Sequence, residues 1–468
     1  VEGDAVAVGG SVQVDEGATV EGQRSTVGWG DGWRGHNGNG MSFGWPFWFD
    51  SDAGELVWSI LRALFLMLLC CISVLLARGP MEHTSRRLTE EPWKAVFAGL
   101  LTQLLFFPVL IFVTVILAVS IVGIPLLVLG FASLFIGVGA GLLRLGWAVP
   151  LPETELAALH GPLMVSGFFG TVISLERAVA LARRWAYLGP LASGAGGFLL
   201  ILGAPAMAGQ ALLAAGSAIL TLASLTVFQR QRALFTFTLA AGAFSWLVGN
   251  LLWLGGASVF AVVPWWAGFL VLTIAGERLE LSRFLPPSPM AQRVFIAVLA
   301  GLTFGMAFHA QVFGAALLAL ALWLLRQDIA RRTVKDKGLT RFIAVCLLSG
   351  YAWLALSGAI MLVKGLAPGT LAYDAALHAL MLGFVFSMVF GHAPIIFPAV
   401  LRVAVPYHPL FYAPLALLHL SLIVRLTGDA AALHDWRSAG GALNALALLA
   451  FILNTIAAVA RGRLKKPS

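Results

Sequence analysis

The chain has 468 residues, 59% of them hydrophobic and only 11% charged. Water-soluble domains carry roughly 25% charged residues, so a soluble enzyme is excluded, and so is a disordered chain, which needs high charge and little apolar content. The formal charge of +8 lies mostly in short segments between apolar runs, where it sets topology in a lipid bilayer and not nucleic-acid binding.

The front of the chain differs from the rest. It begins at Val1, not Met, and reads as cut or processed, so that a leader is missing. The string VEG at 1–3 recurs at 20–22, and Val6, Val8, Val12, Val14 and Val20 keep even spacing with Gly and Asp between them. That pattern suits stacked β-rungs, each needing a neighbour to bury its valine row. A plain Gly/Val-rich hairpin is the other reading. Residues 28–50 are rich in Gly, Trp and Asn and end in Gly44-Trp45-Pro46-Phe47-Trp48-Phe49, an aromatic run suited to a membrane interface. An apolar stretch at 56–77 is long enough to span a bilayer. A charged loop at 78–94 follows, and from Ala95 to Trp147 Arg144 is the one charged residue. On the valine rungs and the Gly123-Ile124-Pro125 string, this block resembles bactofilin-like polymer-forming membrane proteins. The resemblance implies scaffolding and self-assembly, with no chemistry of its own.

From about 130 onward the hydropathy predicts twelve spans: 130–147, 159–182, 187–204, 209–228, 234–255, 259–281, 291–309, 312–326, 341–364, 372–400, 409–426 and 439–460. Alternate junctions are basic, as with Arg177/Arg183/Arg184, Arg230/Arg232 and the tail Arg461/Arg463/Lys465/Lys466. The positive-inside rule then places both ends of this block in the cytoplasm. The basic loop at 78–94 should be cytoplasmic, which puts residues 1–50 outside, and a hairpin over 95–122 at Pro108 would return the chain to the cytoplasm for the span at 130–147. The expected organisation is a β-solenoid-like fragment with an aromatic linker over 1–50, a small membrane module over 51–129, and an all-α, twelve-helix polytopic domain over 130–468.

Ionisable groups inside a bilayer are costly, so they are usually partnered or functional. Among nine histidines, His160 and His378 share a local string. Ala158-Leu159-His160 and Ala376-Leu377-His378 are each followed by Leu-Met and then Gly-Phe. Each opens a span running in the same direction, so the two can lie at equal depth. The small residues Gly167 and Gly383 would leave room for a flat macrocycle, and two neutral imidazoles can hold a six-coordinate b-type haem. His392 falls on nearly the same helix face as His378 but about 21 Å deeper. It could serve a second haem with His408 or His419, or make a buried polar contact beside Pro394. Asp374 lies one turn before His378 and could orient its imidazole.

Twelve helices with a histidine at the outer end of the second and tenth are similar to haem–copper oxidase subunits. However, the His-His pair and the His-x-His of a copper centre are missing. Ala376-Leu377-His378-Ala379-Leu380, Gly383 and Met388 more closely resemble a string of the NnrS family, with Arg402 and His408 near its later Arg and His, and His160 in its front helix. The resemblance implies a bacterial inner-membrane protein with haem and copper, linked to nitric oxide response or electron transfer and to a redox partner.

Glu176-Arg177 and Glu277-Arg278 end the second and sixth spans. They read as interfacial anchors, or as propionate or proton-access groups. Cys70, Cys71 and Cys346 lie in apolar runs with no CxxC, and there is no Walker A, GxSxG or HExxH string. Twelve spans with prolines at 394, 398, 406 and 409 suit a secondary transporter of a neutral or hydrophobic solute equally well.

Overall fold

The computed structural model describes residues 5–8, 24–27, 123–149, 155–281, 288–401 and 403–464. The aromatic run at 44–49, the span at 56–77, the loop at 78–94, the Pro108 hairpin, Cys70, Cys71 and Arg402 lie outside them. At the front, β1 (Ala5–Val8) and β2 (Arg24–Val27) pair in parallel, with Ala5 opposite Arg24 and Val8 opposite Val27. This register advances by the same 19 residues that separate the two VEG strings.

The remainder is helical. In chain order the rods are α1 (Gly123–Leu143), α2 (His160–Leu181), α3 (Leu188–Ile201), α4 (Ala206–Arg230), α5 (Leu234–Leu254) and α6 (Val259–Leu281). They continue with α7 (Pro289–Phe308), α8 (Ala310–Gln327), α9 (Gly338–Lys364), α10 (371–401), α11 (Tyr412–Ala430) and α12 (His434–Leu464). They take the places of the twelve expected spans in order. Eleven of them, all but α3, are long and apolar enough to cross a membrane. The α3 helix has 14 residues, about 21 Å of rise, and a 3₁₀ turn at Arg184–Tyr187 leads into it. Gly123-Ile124-Pro125 forms the first turn of α1. Proline is tolerated there because the first helical turn has no intrahelical acceptor for its N–H.

These rods form an all-α polytopic bundle. Large apolar side chains such as Leu222, Phe244, Phe304, Leu420 and Ile456 point outward, as lipid-facing helices require, while Trp246, Trp266, Phe295, Phe313 and Phe384 fill the interior. Glycine sets some of the closest approaches. A Cβ on Gly170 would collide with the Trp246 indole, and one on Gly305 with the Phe313 backbone, which brings α2 against α5 and α7 against α8. The last helix returns to the first: the Trp147 indole N–H donates to the Ser438 carbonyl at 3.2 Å, and the Ser438 hydroxyl donates to the Leu145 carbonyl at 3.2 Å.

Candidate functional site

Helices α2 and α10 carry the same irregularity in the same place. Just after its histidine, each widens into a π-helical segment, Leu163–Phe169 in α2, three residues beyond His160, and Ala379–Phe386 in α10, directly after His378, before returning to α geometry at Gly170 and Ser387. π-turns add a residue to the helical circuit and concentrate at functional sites. Thr370 starts α10, its hydroxyl accepting from the Tyr373 N–H at 3.2 Å. The π-segment of α2 is held by a buried polar chain. Ser166 donates to the Asn250 side-chain oxygen at 3.0 Å, Trp246 donates to Ser166 at 2.9 Å, and Trp266 donates to Asn250 at 3.1 Å.

The two histidines meet. Their ring centres are 6.3 Å apart and their planes 17° apart. Both rings are fixed through Nδ1, which donates to the Gly137 carbonyl at 2.7 Å in His160 and to the Asp374 carbonyl at 2.8 Å in His378. An Nδ1–H committed to a carbonyl leaves Nε2 as a bare lone pair, the tautomer that metal ligation needs. Behind His378, the Asp374 carboxylate lies 3.3 Å from Nδ1. That carboxylate is clamped by Arg425, whose Nη2 reaches Oδ2 at 2.9 Å and Oδ1 at 3.2 Å, with Nε also 3.2 Å from Oδ2. Arg425 is buried in α11. The Asp374 partner that keeps it inside comes from another helix. Arg144, which is exposed, and Arg425 are both within electrostatic reach of His160.

The expected source of space beside the histidines is corrected. A Cβ on Gly167 would meet the Ser133 hydroxyl at 2.7 Å, and one on Gly383 would strike the Trp353 indole. These glycines admit neighbouring side chains and leave no slot. The glycine that packs against a histidine ring is Gly141, whose Cβ would lie 2.9 Å from His160 Nδ1 and Cε1. No group of three or more His, Cys, Asp or Glu side chains able to hold a metal ion occurs among the described residues. Two imidazoles make a complete donor set only for a partner that brings its own equatorial ligands, as a porphyrin does, or for a two-coordinate soft ion such as Cu(I).

The other sequence candidates lie elsewhere. His392, half-buried in α10, donates from Nδ1 to the Met388 carbonyl at 2.8 Å, not to the Phe390 carbonyl that Pro394 frees. It lies within electrostatic reach of Arg278 and Asp328, and it does not join the His160–His378 pair. His408 is exposed, and its Nδ1 accepts from the Leu410 N–H at 3.2 Å as the cap of a 3₁₀ turn. His419 has both nitrogens engaged: Nδ1 accepts from the Trp353 indole at 2.9 Å and Nε2 faces the Ser349 hydroxyl at 3.0 Å.

Arg278 is not an interfacial anchor. It is 4% exposed and makes a two-pronged ion pair with Asp328, Nε–Oδ2 at 2.7 Å and Nη2–Oδ1 at 3.0 Å. The Tyr351 hydroxyl at 2.6 Å and the Ala330 N–H at 2.7 Å complete the carboxylate. Glu176 and Glu277 come within electrostatic reach of each other and of Arg177.

Residues 123–460 match a family described as Domain of unknown function (DUF8744), and the protein belongs to that family. No curated protein matches the chain.

Proposed function

We propose that this is a haem-binding integral membrane protein of the NnrS-like type, with His160 and His378 as the axial ligands of one b-type haem. The observation that carries this reading is the pair of near-parallel imidazoles 6.3 Å apart, each tied through Nδ1 to a backbone carbonyl. A metal–imidazole bond of about 2 Å on each side, plus the step from ring nitrogen to ring centre, gives a separation of about 6 Å. The observed separation of 6.3 Å agrees with that spacing and supports the reading. Arg144, within electrostatic reach of His160, would supply positive charge for a porphyrin carboxylate. Such a haem would supply one-electron transfer or nitric oxide chemistry. The chain's own residues fix the ligand tautomers, keep His378 oriented through Asp374 and Arg425, and surround the pair with apolar packing. A copper ion on the same two nitrogens is the variant of this reading that metal analysis separates. The proposed setting is the bacterial inner membrane with the C-terminus in the cytoplasm, a redox partner, and a front block that self-assembles through its 19-residue parallel register.

The test is an absorption spectrum with metal analysis on protein purified from haem-replete membranes. A Soret band with one iron per chain is expected, lost in both His160→Ala and His378→Ala. A wild-type protein without iron or Soret absorption overturns the reading, and one copper per chain without a Soret band selects the copper variant. The second reading, a secondary transporter of a neutral or hydrophobic solute, draws support from Pro394 and Pro398 inside α10 and Pro264 inside α6. Substrate-dependent uptake that survives both alanine variants would favour it.

A further inference from the structure

Each histidine of the pair shares a helix face with a phenylalanine eight residues further on. His160 stands opposite His378 and Phe168 opposite Phe386, both at 6.3 Å between ring centres. In a regular α-helix eight residues turn about 800°, roughly 80° past two full circuits, so the second ring would point away from the face of the first. One residue absorbed into a wider circuit leaves about 700°, roughly 20° short of two circuits, and both rings then face the partner helix. The π-segments Leu163–Phe169 and Ala379–Phe386 thus bring imidazole and phenyl to one face on each helix.

π geometry is rare in helices, and in α2 it has a hold from outside the helix. Asn250 of α5 is fully buried. Its side-chain oxygen accepts from the hydroxyl of Ser166, inside the π-segment, and from the Trp266 indole, while its amide donates to the Leu213 carbonyl at 3.2 Å. A buried hydroxyl on a helix commonly turns back to the carbonyl four residues earlier, as those of Thr171, Ser193 and Thr221 do. Ser166 donates across to α5 instead. Beyond the segment, α2 is fixed by Gly170, which packs on the Trp246 indole so closely that no Cβ fits. A change of register in the segment is therefore taken up on the His160 side.

We infer that Asn250 is a positioning residue of the imidazole pair: through Ser166 it keeps the extra residue in the α2 circuit and so holds His160 opposite His378. Without that link the segment closes to α geometry, and His160 turns by about 100° and moves about 1.5 Å along the axis. Asn250 bears on function through the reading of this pair as the haem site, whereas the ring geometry it sets can be measured with or without haem.

Cryo-electron microscopy of the full chain with a bound antibody fragment, together with absorption spectra of the same preparations, tests this on the wild type, Asn250→Leu and Thr171→Val. Thr171 is the control, because its buried hydroxyl bonds only within α2, to the Gly167 carbonyl at 2.6 Å. Asn250→Leu is expected to turn the His160 ring off His378 and to replace a six-coordinate, low-spin haem spectrum by a five-coordinate, high-spin one. Thr171→Val is expected to keep the rings 6.3 Å apart and the spectrum low-spin. Should Asn250→Leu fail to fold, Ser166→Ala breaks the same link and should give the same result. A ring pair kept at the wild-type separation in Asn250→Leu or Ser166→Ala, an equal displacement in Thr171→Val, or failure of both linking variants to fold overturns the positioning role. A wild type without haem overturns the haem reading alone, and the ring separations then decide the role of Asn250.

Discussion

The His160 and His378 ring centres stand 6.3 Å apart, and eight residues further along each helix Phe168 and Phe386 repeat that 6.3 Å spacing with planes only 5° apart. The two helices thus face each other in one register through the π-segments. Phe169 closes on Phe386 at 5.2 Å, so the interface beside the histidines is aromatic and buried.

Replacing an imidazole by glycine leaves an imidazole-sized hole. On the proposed haem ligation, His378→Gly is expected to lose the Soret band and to regain it when imidazole is added to the medium, while His392→Ala and His408→Ala leave the spectrum unchanged. Visible spectroscopy on the three variants checks this. A spectrum that depends on His392 and not on His378 would move the site deeper into α10.

Gly141 lies against the His160 ring, and a methyl group there would come within 2.9 Å of it. Gly141→Ala is expected to cost about 1–3 kcal/mol as local overpacking and to shift the reduced-state absorption bands while iron stays bound. Paired thermal melts and spectra separate the two effects.

Removing Arg425 strands the Asp374 carboxylate. Arg425→Gln is expected to destabilise the protein by about 1–3 kcal/mol, less than the cost of breaking a fully buried pair, because the Asp374 side chain is 29% exposed. The double variant Asp374→Asn/Arg425→Gln should recover a large part of that loss, because no buried charge is left unpaired. Denaturant unfolding in detergent, arranged as a double-mutant cycle, measures the coupling.

The Asp328 carboxylate accepts from Arg278, Tyr351 and the Ala330 backbone. Tyr351→Phe removes one neutral donor and is expected to cost about 1–3 kcal/mol, whereas Asp328→Asn leaves Arg278 uncompensated and should cost about 3–5 kcal/mol. Tryptophan-fluorescence melts should rank Asp328→Asn as the less stable of the two.

The Gly-Phe strings after the two histidines are out of step by two residues: Gly167 follows His160 by seven and Gly383 follows His378 by five. Counted from the histidines, Phe168 faces Phe386, while Phe384 packs against Tyr351 at 6.4 Å. A small residue signals close approach, but only the neighbouring helix decides whether a ligand or a side chain such as Ser133 or Trp353 occupies the space.

What the sequence determined by itself is the membrane class, the order of the twelve rods and the placing of His160 and His378 at equivalent helix starts. These follow from local quantities: a helix spans hydrocarbon when its own residues are apolar over enough length. The tertiary structure alone decided that the two imidazoles meet, that Arg425 neutralises Asp374, and that Arg278 is an interior cation held by Asp328 and not a surface anchor. A charge can remain within a bundle only where an opposite charge or a set of donors from another helix meets it, and that partner is supplied by packing, at a distance along the chain that no local pattern records.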